Sequence, residues 1–222
     1  MTRLLIFDLD GTLVDTKKDI ALSLNYALEK EGFATLPQAH IEALVGWGAK
    51  QLVEEALGHP TAEELQRVFV TFLNYYEAHL LDYSEIYPGV VEFLKSHRDW
   101  KMAVVTNKPE VHSHKLLKGM GLDSYFFSVV GGDTLPTRKP DTGVLRVLQE
   151  QIGPWELGAM VGDSLIDHRF GKAGGLLTCL LTHGFGLAEE LREAKPNFLV
   201  EDFFELGRLP LFSVGATRVQ EG

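Results

Sequence analysis

The chain has 222 residues, 45% of them hydrophobic, a formal net charge of −10 and a single cysteine. That is enough apolar material for one large core, or for a main domain carrying an insert, and it excludes disorder as the default. The acidic balance disfavours a nucleic-acid partner, and the lone cysteine excludes an internal disulfide framework, as expected in a reducing compartment.

The first predicted element is the apolar run Leu4 to Phe7, of strand type. It starts so early that no secretory leader precedes it, and no stretch is long enough to span a bilayer, so a cytoplasmic protein without a membrane partner is expected. The run ends in Asp8-Leu9-Asp10-Gly11-Thr12. In an extended chain Asp8 and Asp10 point the same way, so two carboxylates share one site. Crowded anions need a cation, and hard oxygen donors suit Mg2+. Gly11 lets the backbone turn and a ligand approach closely.

From Thr16 to Glu85 the rhythm is helical, with Ile20, Leu24, Ala27 and Leu28 and then Leu65, Phe69, Phe72, Leu73, Tyr76 and Leu80 at helix spacing. Its 11 acidic side chains against 5 basic ones are accounted for by solvated helix faces. Beyond it, strand-like runs at Met102 to Val105, Phe127 to Val130, Leu157 to Val161 and Leu176 to Leu180 alternate with helical patterns that follow Pro88-Gly89, Pro109 and Pro140. The predicted fold is α/β: a Rossmann-like parallel sheet with helices on both faces, plus an inserted all-helical cap. Residues 1–15 and 86–212 form the expected core, 16–85 the cap, and 213–222 a flexible tail. Cys179, in an apolar run, reads as a small core residue.

Ligands of such sheets collect at the carboxyl ends of the strands. There stand Asp8 and Asp10, then Thr106-Asn107-Lys108 with its hydroxyl and amide donors, then Arg138-Lys139-Pro140 ahead of a helix, then Gly162-Asp163-Ser164-Leu165-Ile166-Asp167. Each fragment alone suits an ordinary turn, cap or solvated lysine. Four of them in this order at four strand ends point to one site. His112 and His114 are expected on exposed helix surface, on different faces, so they make no zinc pair.

The sequence resembles the haloacid dehalogenase superfamily through Asp8-Leu9-Asp10-Gly11-Thr12, Thr106, Lys139, and Gly162-Asp163 with Asp167, over the chain to about Phe204. A helical insert after the first motif corresponds to the superfamily's first cap class. Within it the likeness is greatest to phosphoglycolate phosphatases, carried by Thr106-Asn107-Lys108-Pro109 and Val45-Gly46-Trp47-Gly48. The resemblance implies Mg2+-dependent hydrolysis of a small phosphate monoester, 2-phosphoglycolate foremost, through an aspartyl-phosphate. Asp8 is then the nucleophile, Asp10 the general acid and base, and Thr106 and Lys139 the remaining catalytic groups. Gly11 and Asn107 would bind substrate. Asp8, Asp10 and Asp163 would ligate the metal, with Asp167 holding a metal-bound water or orienting Lys139. In the cap, Gly46, Trp47 and Gly48 at a helix start, with Lys50, are expected to receive the substrate carboxylate.

Other readings are a phosphatase of a sugar phosphate or nucleotide, a phosphonoacetaldehyde hydrolase, and a non-catalytic module that binds a phosphometabolite. Lys50 is suggestive for the phosphonate enzyme, but Asp10 stands where that enzyme carries a small residue. A binder needs neither Asp8 nor Asp10, and a dehalogenase by resemblance lacks Asp10. A sugar phosphomutase would carry a histidine near Ile20. Asp141-Thr142-Gly143 and His168-Arg169-Phe170 depart from the usual pattern and bear on substrate preference rather than on the reaction. The expected partner is a small-molecule phosphate ester, with no nucleic acid, and the protein a monomer or homodimer.

Overall fold

Leu4, Leu5, Ile6 and Phe7 are fully buried in β1 (Arg3–Phe7), because this strand lies inside a sheet covered on both faces. In the computed structural model, which describes residues 2–213, β1 leads through β2 (Val14–Asp15) into four helices: α1 (Lys17–Lys30), α2 (Gln38–Leu44), α3 (Ala49–Leu57) and α4 (Ala62–His79). The chain returns through β3 (Glu85–Ile86) to α5 (Val90–Ser96), β4 (Lys101–Val105), α6 (Glu110–Gly119), β5 (Ser128–Val130), α7 (Val144–Ile152) and β6 (Leu157–Gly162). It closes with α8 (Leu165–Ala173), β7 (Leu177–Leu181), α9 (Ala188–Glu193), β8 (Phe198–Val200), α10 (Phe203–Arg208) and α11 (Pro210–Ser213).

Six parallel strands lie in the order β5-β4-β1-β6-β7-β8. Successive side chains of β1 alternate between two cores. Leu5 and Phe7 join Phe93 of α5, Leu116 and Leu117 of α6 and Phe203 of α10; Leu4 and Ile6 join Val144 and Leu148 of α7 and Phe170 of α8. The expected α/β sheet with helices on both faces and an inserted helical cap is therefore the fold. Phe7 pairs with Val104 on one side and Val161 on the other, so the chain leaves all three central strands at one level.

The cap is held by α1 against α4, where Leu24, Ala27 and Leu28 meet Val68, Phe72 and Tyr76 in one buried cluster. Its two connections run side by side. β2 and β3 form a short antiparallel ribbon with Val14 opposite Ile86 and Asp15 opposite Glu85. Just inside it, the buried Asp19 carboxylate accepts from the Tyr83 and Ser84 N–H groups and the Ser84 hydroxyl.

The ribbon and β8 go beyond the five strands expected; the two-residue strands of the ribbon carry too little pattern to be read. The helix α6 also differs from expectation. His114 is exposed but His112 is buried, because that face of α6 packs against Tyr76 of the cap, ring to ring at 5.6 Å and 87°. The expected tail, 213–222, lies outside the described residues except for Ser213, the last residue of α11. No helix among the described residues is long and apolar enough to cross a membrane.

Candidate active site

Asp8 and Asp10 follow β1, Thr106 follows β4, and Asp163 follows β6, so parallel pairing alone brings them to one end of the sheet. Lys139 reaches the same place from the loop before α7. Its ammonium lies 2.9 Å from Asp8 Oδ1 and 2.6 Å from Asp167 Oδ1, and its side chain is only 2% exposed. The contact to Asp8 is an ion pair without hydrogen-bond alignment, and Asp8 Oδ1 is a buried acceptor with no hydrogen bond.

Asp167 is fully buried in the first turn of α8. Its Oδ2 accepts from the Asp163 and Ser164 N–H groups and the Ser164 hydroxyl, so one carboxylate both closes a capping box and holds Lys139. Asp163 accepts from the Thr12 hydroxyl at 2.6 Å and the Phe185 N–H at 2.7 Å. The backbone must come very close here. Gly11, at φ +80°, leaves no room for a Cβ, which would lie 2.4 Å from Asp163 Oδ2 and from the Phe185 ring.

Asp8, Asp163 and Asp167 each place a carboxylate oxygen within 4.8 Å of the others. Burial lifts the Asp8 carboxyl to about 6 against the pull of Lys139. Burial, then the charges of Asp167 and Asp8, lifts Asp163 to about 8. For Lys139 burial acts downward, but Asp167 and Asp8 outweigh it and its pKa rises. One ammonium thus leaves the three carboxylates short of positive charge. An all-oxygen donor set in that condition fits a hard divalent cation.

Asp10 is arranged differently. Its Oδ1 accepts from the Thr16 hydroxyl at 2.8 Å, and both its oxygens lie against Lys108 Nζ, at 2.9 and 3.1 Å. The same ammonium donates to Tyr76 Oη at 2.5 Å, so a cap residue, a core lysine and Asp10 form one chain. Asn107, expected to bind substrate, commits its amide N–H groups to the carbonyls of Gly46 and Lys139, clamping the cap loop to the lysine loop. The Thr106 hydroxyl accepts from the Lys108 N–H, which leaves its own hydrogen free to donate.

One cavity joins these groups to the cap. Asp8, Asp10, Thr106 and Asp163 line it together with the apolar side chains of Ile20, Leu52, Phe72 and Leu73. Gly46 and Gly48 line it too, Gly48 so close that a Cβ would lie 3.0 Å from the Asn107 carbonyl. Trp47 is half-buried and Lys50 exposed, and neither lines the cavity. Lys108, Tyr76 and His112 line it and were missed as site residues. Lys108 has a signal, standing two residues after Thr106 at a strand end; Tyr76 and His112 look like helix-face residues and have none.

A family model described as haloacid dehalogenase-like hydrolase matches residues 5–181. This chain belongs to that family. Among haloacid dehalogenase-like hydrolases it is 36% identical to a phosphoglycolate phosphatase of Colwellia psychrerythraea over 91% of this chain and 94% of that one. It is 35% identical to another from Haemophilus influenzae over 92% and 96%. A crystal structure of a predicted phosphoglycolate phosphatase from Haemophilus somnus superposes with a TM-score of 0.85 at 30% identity, covering 92% of this chain and 96% of that one. The protein is a phosphoric monoester hydrolase of the phosphoglycolate phosphatase-like branch of the family.

Proposed function

We propose that the protein hydrolyses 2-phosphoglycolate with Mg2+, through an aspartyl-phosphate on Asp8, with residues 1–15 and 86–212 as the catalytic unit and 16–85 as the cap. The observation that carries this reading is the meeting of Asp8, Asp10, Lys139, Asp163 and Asp167 beside a cavity that cap residues help to line. The space open to the centres of water molecules is about 60 Å3. That corresponds to a handful of waters, a size that suits a small ester. The phosphoglycolate phosphatases at 35 to 36% identity support the same substrate.

An Asp8 oxygen attacks phosphorus, and the ester P–O bond breaks with its electron pair moving to the ester oxygen, which takes the Asp10 proton. Water then attacks the aspartyl-phosphate and gives its proton to the Asp10 carboxylate, and the bond from Asp8 to phosphorus breaks to release phosphate. Lys139 offsets charge at the nucleophile and the phosphoryl group, while the Thr106 hydroxyl and backbone N–H groups near Asp10 bind phosphoryl oxygens. The Asp8 and Asp163 carboxylates and the Asp10 carbonyl would hold Mg2+, whose charge screens the nucleophile from the phosphate. Asp167 orients Lys139. A reducing cytoplasm suits the single buried Cys179.

The test is phosphate release from 2-phosphoglycolate, glucose 6-phosphate and AMP, with Mg2+, with chelator and with Ca2+. The expected result is the highest kcat/KM for 2-phosphoglycolate, loss of turnover in chelator, and inhibition by Ca2+, whose looser shell accepts both Asp8 oxygens and misdirects the nucleophile. Absence of turnover with 2-phosphoglycolate retires that substrate, and full activity in chelator removes the metal.

A further inference from the structure

The cavity carries a second set of polar groups, which meets the first at Asp10. Beyond the carboxylates, the described residues that line it include one Lys or Arg side chain, Lys108, which is 4% exposed. Tyr76 Oη accepts from Lys108, so its own hydroxyl hydrogen is left without an acceptor among the described residues. Burial pushes that hydroxyl up to about 12, so it remains a neutral donor. His112 lies edge-on to the Tyr76 ring, and its Nδ1 is buried with no hydrogen-bond partner.

These three groups come from α4 of the cap, the loop after β4, and α6 of the core. Each has hydrogens to donate, and two carry a polar atom or hydrogen that the folded chain does not satisfy. Buried polar groups without partners are costly and are normally explained by something that binds them. Lys50 is exposed and off the cavity, whereas Lys108 lines it and is held against Asp10, the group that serves the leaving oxygen.

We propose that Lys108, Tyr76 and His112 form an anion receptor that fixes the carboxylate of the leaving group and so selects 2-phosphoglycolate over uncharged esters of the same size. This rests on the substrate reading above. The bound carboxylate shares the Lys108 ammonium with Asp10, accepts the Tyr76 hydroxyl hydrogen, and pairs with His112 Nδ1 in its N–H tautomer. A neutral leaving group would leave these donors unpaired, which is the condition under which a polar site rejects an analogue most strongly. Because Tyr76 belongs to the cap, the receptor exists only with the cap seated on the core.

The test is the ratio of kcat/KM for 2-phosphoglycolate to that for 2-hydroxyethyl phosphate, in which CH2OH replaces the carboxylate. It is measured in the wild type, Tyr76→Phe, Lys108→Met and Lys50→Ala, with folding checked by Tm. Tyr76→Phe and Lys108→Met are each expected to lower the ratio at least tenfold, Tyr76→Phe through KM for 2-phosphoglycolate, while Lys50→Ala holds it within twofold. Lys108→Met also strips Asp10 of its cationic partner and slows both substrates, so the ratio is the reading that counts. Tyr76→Phe keeps the ring and its packing and decides the matter if Lys108→Met fails to fold. A wild type with no preference for 2-phosphoglycolate would overturn the substrate reading together with the receptor. A preference that survives both Tyr76→Phe and Lys108→Met, or that falls in Lys50→Ala instead, overturns the receptor alone.

Discussion

Asp163 is 2% exposed, with Asp167 and Asp8 beside it and, among the described residues, donors from Thr12 and Phe185. A carboxyl held at about 8 in the folded protein against about 3.9 unfolded favours folding while it is protonated. That contribution is complete below about pH 4 and is lost as pH rises through about 8. His112, His168 and His183, pushed down by burial, act in the opposite sense, but above about pH 7 they are neutral in both states. Metal-free protein is therefore expected to lose Tm from pH 7 to about 8 and to level off above it, with Mg2+ restoring it most at the upper end. A flat Tm in chelator over that interval means that Asp163 is already ionised in the folded protein. Asp8→Asn, nearly isosteric, should keep the fold and lower kcat by at least about a thousandfold, since an amide cannot form the covalent ester. Activity within severalfold of wild type would sink the aspartyl-phosphate. At this scale the sequence shows residues that stand at strand ends, where parallel pairing makes neighbours of Asp8, Thr106 and Asp163. It hides Tyr76 and His112, whose meeting depends on how two helices from separate segments dock.

Helix α4 carries Tyr76 and is begun by a capping box. The Thr61 hydroxyl accepts from the Glu64 N–H at 3.2 Å, and Glu64 Oε2 accepts from the Thr61 N–H at 2.8 Å. Loss of such a cap costs about 1 kcal/mol. Thr61→Ala is thus expected to lower Tm by about 2 to 4 °C for a chain of this length, read by a thermal melt in saturating Mg2+. An unchanged Tm would mean that the helix start is held by packing alone. The long elements are legible because periodicity needs length: the 18 residues of α4 and the five of β1 display their pattern, whereas the two-residue β2 and β3 do not. The glycines at 46 and 48 mark a turn in the sequence, but its pairing with Asn107 is a tertiary fact.

In the whole molecule the apolar cluster on one face of the sheet is continuous with the cap, since Leu5 and Phe7 share it with Leu24, Val68 and Phe72. The chain passes between the two units twice, and both passes lie in the ribbon where Asp15 faces Glu85. Antiparallel strands paired in that way are joined in hairpins by turns of two residues. A two-residue turn in place of residues 16–84 should therefore close the ribbon without moving the six-stranded sheet. The shortened chain is expected to fold, by circular dichroism, and to cleave an activated ester such as p-nitrophenyl phosphate while losing all preference for small anions. If it is insoluble or unfolded, the cap helices are part of the core's own folding unit. If it folds, the cap is a cassette whose ends already touch, so that evolution can exchange one lid for another, and with it one substrate for another, while strand order and chemistry stay as they are.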